Sequence, residues 1–210
     1  MIKAAKVAAQ SRMQNAGQSC IAAKRFITVG KSTEPFLHEL QKQIAALKQG
    51  NPFDENITTG PMARIDLAEK VEQQFKDSVS KGATLVMGGE RDGCNFTPAM
   101  LTQVREGMPA FDEELFGPVA SVIEAATENE AIQIANESRY GLGASIWTAD
   151  IEKAERLAAN LEAGGVFINA LVKSDPRYPF GGVKKSGYGR ELSHFGIHEF
   201  MNIKTVYVSE

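Results

Sequence analysis

At 210 residues and 43% hydrophobic content, the chain is long enough to bury a core as one domain, with or without an appendage. A formal net charge of -3 argues against an electrostatic nucleic-acid binder, whose footprint would be basic, and no apolar run approaches the roughly 20 residues that cross a bilayer. The two cysteines, Cys20 and Cys94, give neither a disulfide framework nor a clustered metal site, and they fit a reducing cytoplasm.

No acid precedes Glu34, while Lys3, Lys6, Arg12, Lys24, Arg25 and Lys31 are basic, a bias that mimics a mitochondrial presequence. A cysteine-bearing turn follows directly and cleavage would remove or fray it, so residues 2–13 are read as an amphipathic helix with Ile2, Val7, Ala9 and Met13 available to a core. Residues 25–29 read as a short strand ended by Gly30. Ser32, Thr33 and Glu34 then open a helix, with hydroxyls for the cap, Pro35 in the first turn and Phe36, Leu37, Leu40, Ile44 and Leu47 at helical spacing, before Gly50-Asn51-Pro52 stops it. A second long helix is expected over 62–81 on Ile65, Leu67, Val71, Phe75 and Val79, closed by Gly82, and a buried strand over 84–87.

Residues 88–93 turn, and Cys94 falls in a polar loop with no role assigned. Strands are expected at 97–101 and 120–124, a helix at 128–138, a strand at 144–148, a helix at 151–161 and a strand at 165–169. Strand and helix alternate with short, glycine-marked joins, the pattern of an α/β protein with a mostly parallel sheet covered on both faces. A last strand-like run lies at Thr205 to Val208.

The stretch Gln14-Asn15-Ala16-Gly17-Gln18-Ser19-Cys20 presents one cysteine on a small-residue turn. A thiolate there can attack an aldehyde, with backbone N–H groups of Cys20 and its neighbours as donors to the oxyanion. Gly17 gives the turn backbone freedom, and Gln18 and Ser19 put polar groups beside the sulfur. A cysteine before an apolar run also reads as a small buried hydrophobe.

The string NAGQSCIAAKRF resembles the active-site cysteine segment of the aldehyde dehydrogenase superfamily, and three further segments resemble that family in the same order: Gly60-Pro61 within NPFDENITTGPM, EELFGPV from Glu113 to Val119, and PFGGVKKSGYGRE from Pro179 to Glu191. The texture is similar to NAD(P)-dependent succinate-semialdehyde dehydrogenases. The resemblance implies an aldehyde dehydrogenase catalytic domain over 1–195 and a C-terminal segment over 196–210, whose strand pairs with a neighbouring subunit to make a homo-oligomer.

The same resemblance implies that Cys20 is the nucleophile, that the cofactor is NAD or NADP, and that the substrate is a small semialdehyde taken to the acid through a cysteine thioester. Glu114 matches the carboxylate that accepts from the nicotinamide ribose hydroxyls, and Phe116 the aromatic beside the nicotinamide; Glu113 and Glu114 also read as solvated acids before a strand. Ser174 matches the serine that contacts a substrate carboxylate, and Phe180 an aromatic in the pocket wall. Lys173 and Arg177 cluster nearby, as pocket cations or as a solvated loop. Gln14 stands where those enzymes often place an arginine, and Arg12 or Arg177 are the available substitutes for its charge. In the family a dinucleotide-binding domain with a glycine-rich turn, a general-base glutamate and an oxyanion-hole asparagine precedes the cysteine. None is seen ahead of Cys20, so the chain is expected to turn over little alone.

His194 and His198 are four apart beside Glu199, but Gly196 intervenes and the string is not H-E-x-x-H, so no metal site is expected. Neither Gly141 to Gly143 nor Gly181-Gly182 fits a phosphate cradle, and Lys184-Lys185 reads as a solvated pair. Two functions from different classes remain: an oxidoreductase domain, or a non-catalytic folding or oligomerisation module whose cysteine is idle. A narrower rival passes the acyl group to coenzyme A in place of water.

Overall fold

The computed structural model describes residues 1–210. In chain order the elements are α1 (Ile2–Met13), β1 (Arg25–Val29), α2 (Thr33–Ala45), α3 (Ile65–Ser80), β2 (Thr84–Met87), β3 (Arg91–Asp92), β4 (Asn95–Phe96), β5 (Ala99–Thr102) and α4 (Pro109–Asp112). They continue as β6 (Val119–Ala125), α5 (Glu128–Asn136), β7 (Tyr140–Gly141), β8 (Gly143–Ile146), α6 (Ile151–Ala158), β9 (Gly165–Ile168), β10 (Val183–Lys184) and α7 (Ser193–His198). No helix is long and apolar enough to cross a membrane.

The main sheet has four strands in the order β1-β6-β5-β2. β6 pairs in parallel with β1, Phe26 opposite Val122, and with β5, Met100 opposite Ala120. β2 runs antiparallel to β5 at the edge. Because side chains alternate along a strand, one run of residues supplies two cores. Ala99, Leu101, Val119 and Ile123 face α3 and α4 with Val71, Phe75 and Phe111. Met100, Ala120, Val122 and Phe26 face α1 and α2 with Ala5, Met13, Phe36, Leu40 and Ile44. Residues Val119 to Ile123 are therefore all buried, as a central strand covered on both sides must be.

The expected mixed α/β architecture with a mostly parallel sheet is present, and the elements differ from expectation in particular ways. Helix α1 buries Ala5, Ala8, Ala9, Arg12 and Met13, a stripe at the i, i+3, i+4, i+7, i+8 spacing, and leaves Ile2 exposed. Its alanines let α2 approach closely, so the large residues Ile2 and Val7 were the wrong guide to its inner face. Ser32 precedes α2 without capping it; its hydroxyl donates to the Val29 carbonyl at 2.8 Å. Strand β2 is not buried: as the outermost strand it has one neighbour, and Leu85 is 45% exposed. Cys94 turns between β3 and β4, half-buried, its carbonyl accepting from Met62 N–H at 2.8 Å.

The alternation does not continue as one sheet. β8 and β9 form a separate parallel pair, and β7 pairs antiparallel with β10. Residues 201–210 take no regular structure in this single chain, and Thr205 to Val208, expected as a strand, are exposed without forming one.

Candidate active site

Past Met13 helix α1 gives way to a tight turn, Gln14–Gly17, that leads the chain toward Cys20. Asn15 and Ala16 both sit at φ 51° and Gly17 at φ 74°, three successive left-handed residues. Only Gly and Asn enter that region readily, so Ala16 is held there by its burial in the α3 core. A side chain at Gly17 is forbidden twice over, by its φ and by space, since a Cβ there would lie 2.2 Å from the Gly117 carbonyl oxygen.

Around this contact the loop is fastened by polar groups. Asn15 Nδ2 donates to the Gln18 carbonyl at 2.9 Å, and Ala63 N–H donates to Gln18 Oε1 at 2.9 Å, tying the turn to the segment that follows Gly60-Pro61. Gln18 is thus engaged with the backbone, not the sulfur. Arg12 lies wholly buried beneath the turn and donates through Nη2 to the Gly17 carbonyl, while its Nε and Nη1 have no acceptor. Burial pulls its pKa down to about 10, against the opposing pull of the Glu114 charge.

Cys20 is exposed, and its backbone N–H donates to no acceptor within the chain. Four residues on, Lys24 folds back over it. The Lys24 Nζ donates to the Ser19 carbonyl at 2.8 Å and to the Cys20 carbonyl at 2.9 Å. It also forms an ion pair with Glu114 Oε1 at 2.9 Å and lies 5.5 Å from the centre of the Phe116 ring. Its pKa is lowered, first by burial, with the Glu114 pairing raising it, Arg12 lowering it further and Cys20 raising it slightly. Glu114 is half-buried and its second carboxylate oxygen has no hydrogen bond from the chain; Phe116 is 36% exposed.

Cys20, Glu114 and Phe116 are therefore gathered by one lysine. The other expected residues take no part in the Lys24 contacts. Gln14 is half-buried, with its Nε2 buried and unpartnered. Ser174 is exposed without a side-chain hydrogen bond, and Phe180 lines a cavity of about 270 Å³ with Phe167, Lys173, Asp175 and Tyr178, a set that includes none of the cysteine cluster. Arg12 does not stand in for a substrate-facing arginine, because it is spent beneath the turn. Arg177 is clamped by Asp175 through two bonds, Nε to Oδ1 at 2.9 Å and Nη2 to Oδ2 at 2.6 Å, which neutralise much of its charge. Lys24 was overlooked in the sequence because its partner Glu114 is remote in the chain.

Residues 1–206 match the Aldehyde dehydrogenase family. The chain belongs to that family. Among curated members it is 48% identical over 207 residues to the succinate semialdehyde dehydrogenase [NAD(P)+] Sad of Escherichia coli strain K12, covering 97% of this chain and 45% of that protein. It is 45% identical to a probable NADP(+) succinate-semialdehyde dehydrogenase of Synechocystis, covering 99% of this chain and 46% of the relative. Among solved aldehyde dehydrogenases it matches the succinic semialdehyde dehydrogenase of Streptococcus pyogenes in complex with NADP+, with a TM-score of 0.95, 38% identity, and coverage of 99% of this chain and 46% of that one. The chain spans less than half the length of the aldehyde dehydrogenases it matches.

Proposed function

We propose that this chain is the cysteine-bearing catalytic portion of an NAD(P)-dependent aldehyde dehydrogenase that oxidises a semialdehyde, with succinate semialdehyde as the favoured substrate. The observation that carries the reading is Cys20 itself, solvent-facing, with an uncommitted N–H beside the sulfur. The names of the 48% and 45% identical relatives support the substrate.

In this reading the Cys20 sulfur adds as thiolate to the aldehyde carbon, and the alkoxide that forms takes a hydrogen bond from the Cys20 N–H. A bound nicotinamide dinucleotide supplies the acceptor for the hydride that leaves the adduct. Glu114 fits its ribose, since a carboxylate with one oxygen uncommitted accepts from a pair of vicinal hydroxyls, and the open face of Phe116 fits a flat ring. Water then cleaves the Cys20 thioester to release the acid and restore the thiol, a step that needs a general base. Glu114 is paired with Lys24 through Oε1 and its free oxygen is assigned to the ribose, which leaves the base role unfilled by it and the 210-residue chain alone with little turnover. Ser174 and Phe180 serve the far end of the substrate, with Gln14 as a further polar contact. Residues 1–195 form the catalytic portion, and 196–210 pair with a neighbouring subunit. Two free cysteines suit a reducing cytoplasm.

The test is differential labelling. Iodoacetamide at neutral pH labels Cys20 well ahead of Cys94, and succinate semialdehyde slows labelling of Cys20 alone. Equal, slow labelling of both thiols with no protection overturns the proposal and leaves an idle folding or oligomerisation module.

A further inference from the structure

The cavity of about 270 Å³ between β9 and the segment from Lys173 to Gly181 has none of the Cys20, Lys24, Glu114 and Phe116 cluster in its lining. Its walls are fixed by the backbone. Phe167 stands on β9, opposite Ser145 in the parallel pair with β8. Phe180 exchanges two backbone bonds with Glu191, each 2.8 Å long. The two walls touch main chain to main chain, since a Cβ at Gly164 would collide with the Gly181 carbonyl. Both phenyl rings line the cavity and stay half-buried.

Three charges belong to this segment, and two of them largely cancel. Arg177 donates to both carboxylate oxygens of Asp175, and its backbone N–H donates to Oδ1 as well, at 3.0 Å. The turn is closed further by Tyr178 N–H on the Asp175 carbonyl at 3.0 Å and by Ser193 N–H on the Pro176 carbonyl at 3.1 Å. Lys173 is left over, for it enters none of the chain's ion pairs. An exposed lysine is ordinary surface; this one lines a preformed apolar cavity whose other charges are already paired. We propose that the cavity binds a small apolar carboxylate, its hydrocarbon part against Phe167 and Phe180 and its carboxylate on the Lys173 ammonium. A cation is repelled there, and a compact, strongly hydrated anion gains nothing from the two rings; a carboxylate on an apolar body uses both features. The volume lies below the roughly 300–1,000 Å³ of drug-sized pockets, so the occupant is one ring or a short chain. The assignment holds whether or not Cys20 is the nucleophile.

Binding is read from the NMR ring signals of isotope-labelled phenylalanine in the 210-residue chain, with benzoate as the probe and benzyl alcohol as its uncharged counterpart. Benzoate is expected to shift the Phe167 and Phe180 signals saturably, and to bind about tenfold tighter than benzyl alcohol, as a charge-assisted hydrogen bond allows. Lys173→Met, a change at an exposed side chain, removes that advantage and leaves benzyl alcohol within about twofold. Added salt narrows the gap between the probes in the wild type. The proposal is overturned by the absence of a saturable shift, by equal affinities for the two probes in the wild type, or by a Lys173→Met change that is nil or the same for both. Succinate semialdehyde tells the source of the carboxylate: displacement of benzoate makes the cavity the seat of the substrate's far end, and simultaneous binding makes it the site of a separate acid, each supporting a carboxylate in the cavity. Equal, slow labelling of Cys20 and Cys94 would count against the enzyme assignment and leave these affinities untouched.

Discussion

Arg12 is a guanidinium with no exposed surface and two nitrogens without acceptors, so the fold carries a cation at a desolvation cost. The sign of its pH dependence follows. The folded pKa of about 10 lies below the ordinary guanidinium value, so the folded state is penalised in full below pH 10 and relieved as pH rises above it. The penalty is on the order of 3 kcal/mol. Arg12→Met keeps much of the stem's packing and removes the titration, and groups that titrate elsewhere cancel in the comparison. The stability of the wild type minus that of Arg12→Met, from urea midpoints at pH 8, 9.5 and 11, is expected to increase with pH; a flat difference would contradict the buried charge. Of this site the sequence made the cysteine turn, Glu114 and Phe116 legible through motifs. It did not reveal that Arg12 and Lys24 brace them, because those bonds run to backbone carbonyls and to a carboxylate far along the chain.

Elements were legible where a period was strong. Strand β1 and helix α1 lie where alternation and helical spacing put them, and α3 spans most of its expected run. What hydropathy could not read was which face is crowded. An alanine stripe is nearly silent on any scale weighted by large side chains, and a strand of four apolar-rich residues looks the same at a sheet's centre and at its edge. The two placements separate on mutation. Leu101 on β5 is fully buried and Leu85 on β2, its partner in register, is 45% exposed. Leu101→Ala is expected to cost about 2–5 kcal/mol and Leu85→Ala less than about 1 kcal/mol, read from urea unfolding. Equal costs would contradict the edge position of β2.

At the scale of the whole chain, the comparisons cover almost all of its length and under half of its relatives' length. Its last ten residues are exposed and carry Met201, Ile203, Val206, Tyr207 and Val208, an apolar concentration unusual for free chain. If this run pairs with a second copy, deletion of residues 201–210 lowers the sedimentation coefficient and leaves the urea midpoint of the α1–α2 core unchanged; an unchanged coefficient argues against the pairing. The abutment of Gly17 on Gly117 has a bearing on time as well as space. Its members stand about a hundred residues apart along the polypeptide, and such distant closures come slowly. The turn that carries Cys20 meets Gly117 only when the segment leading into β6 is in place, so a change in the labelling rate of Cys20 during refolding would time that closure.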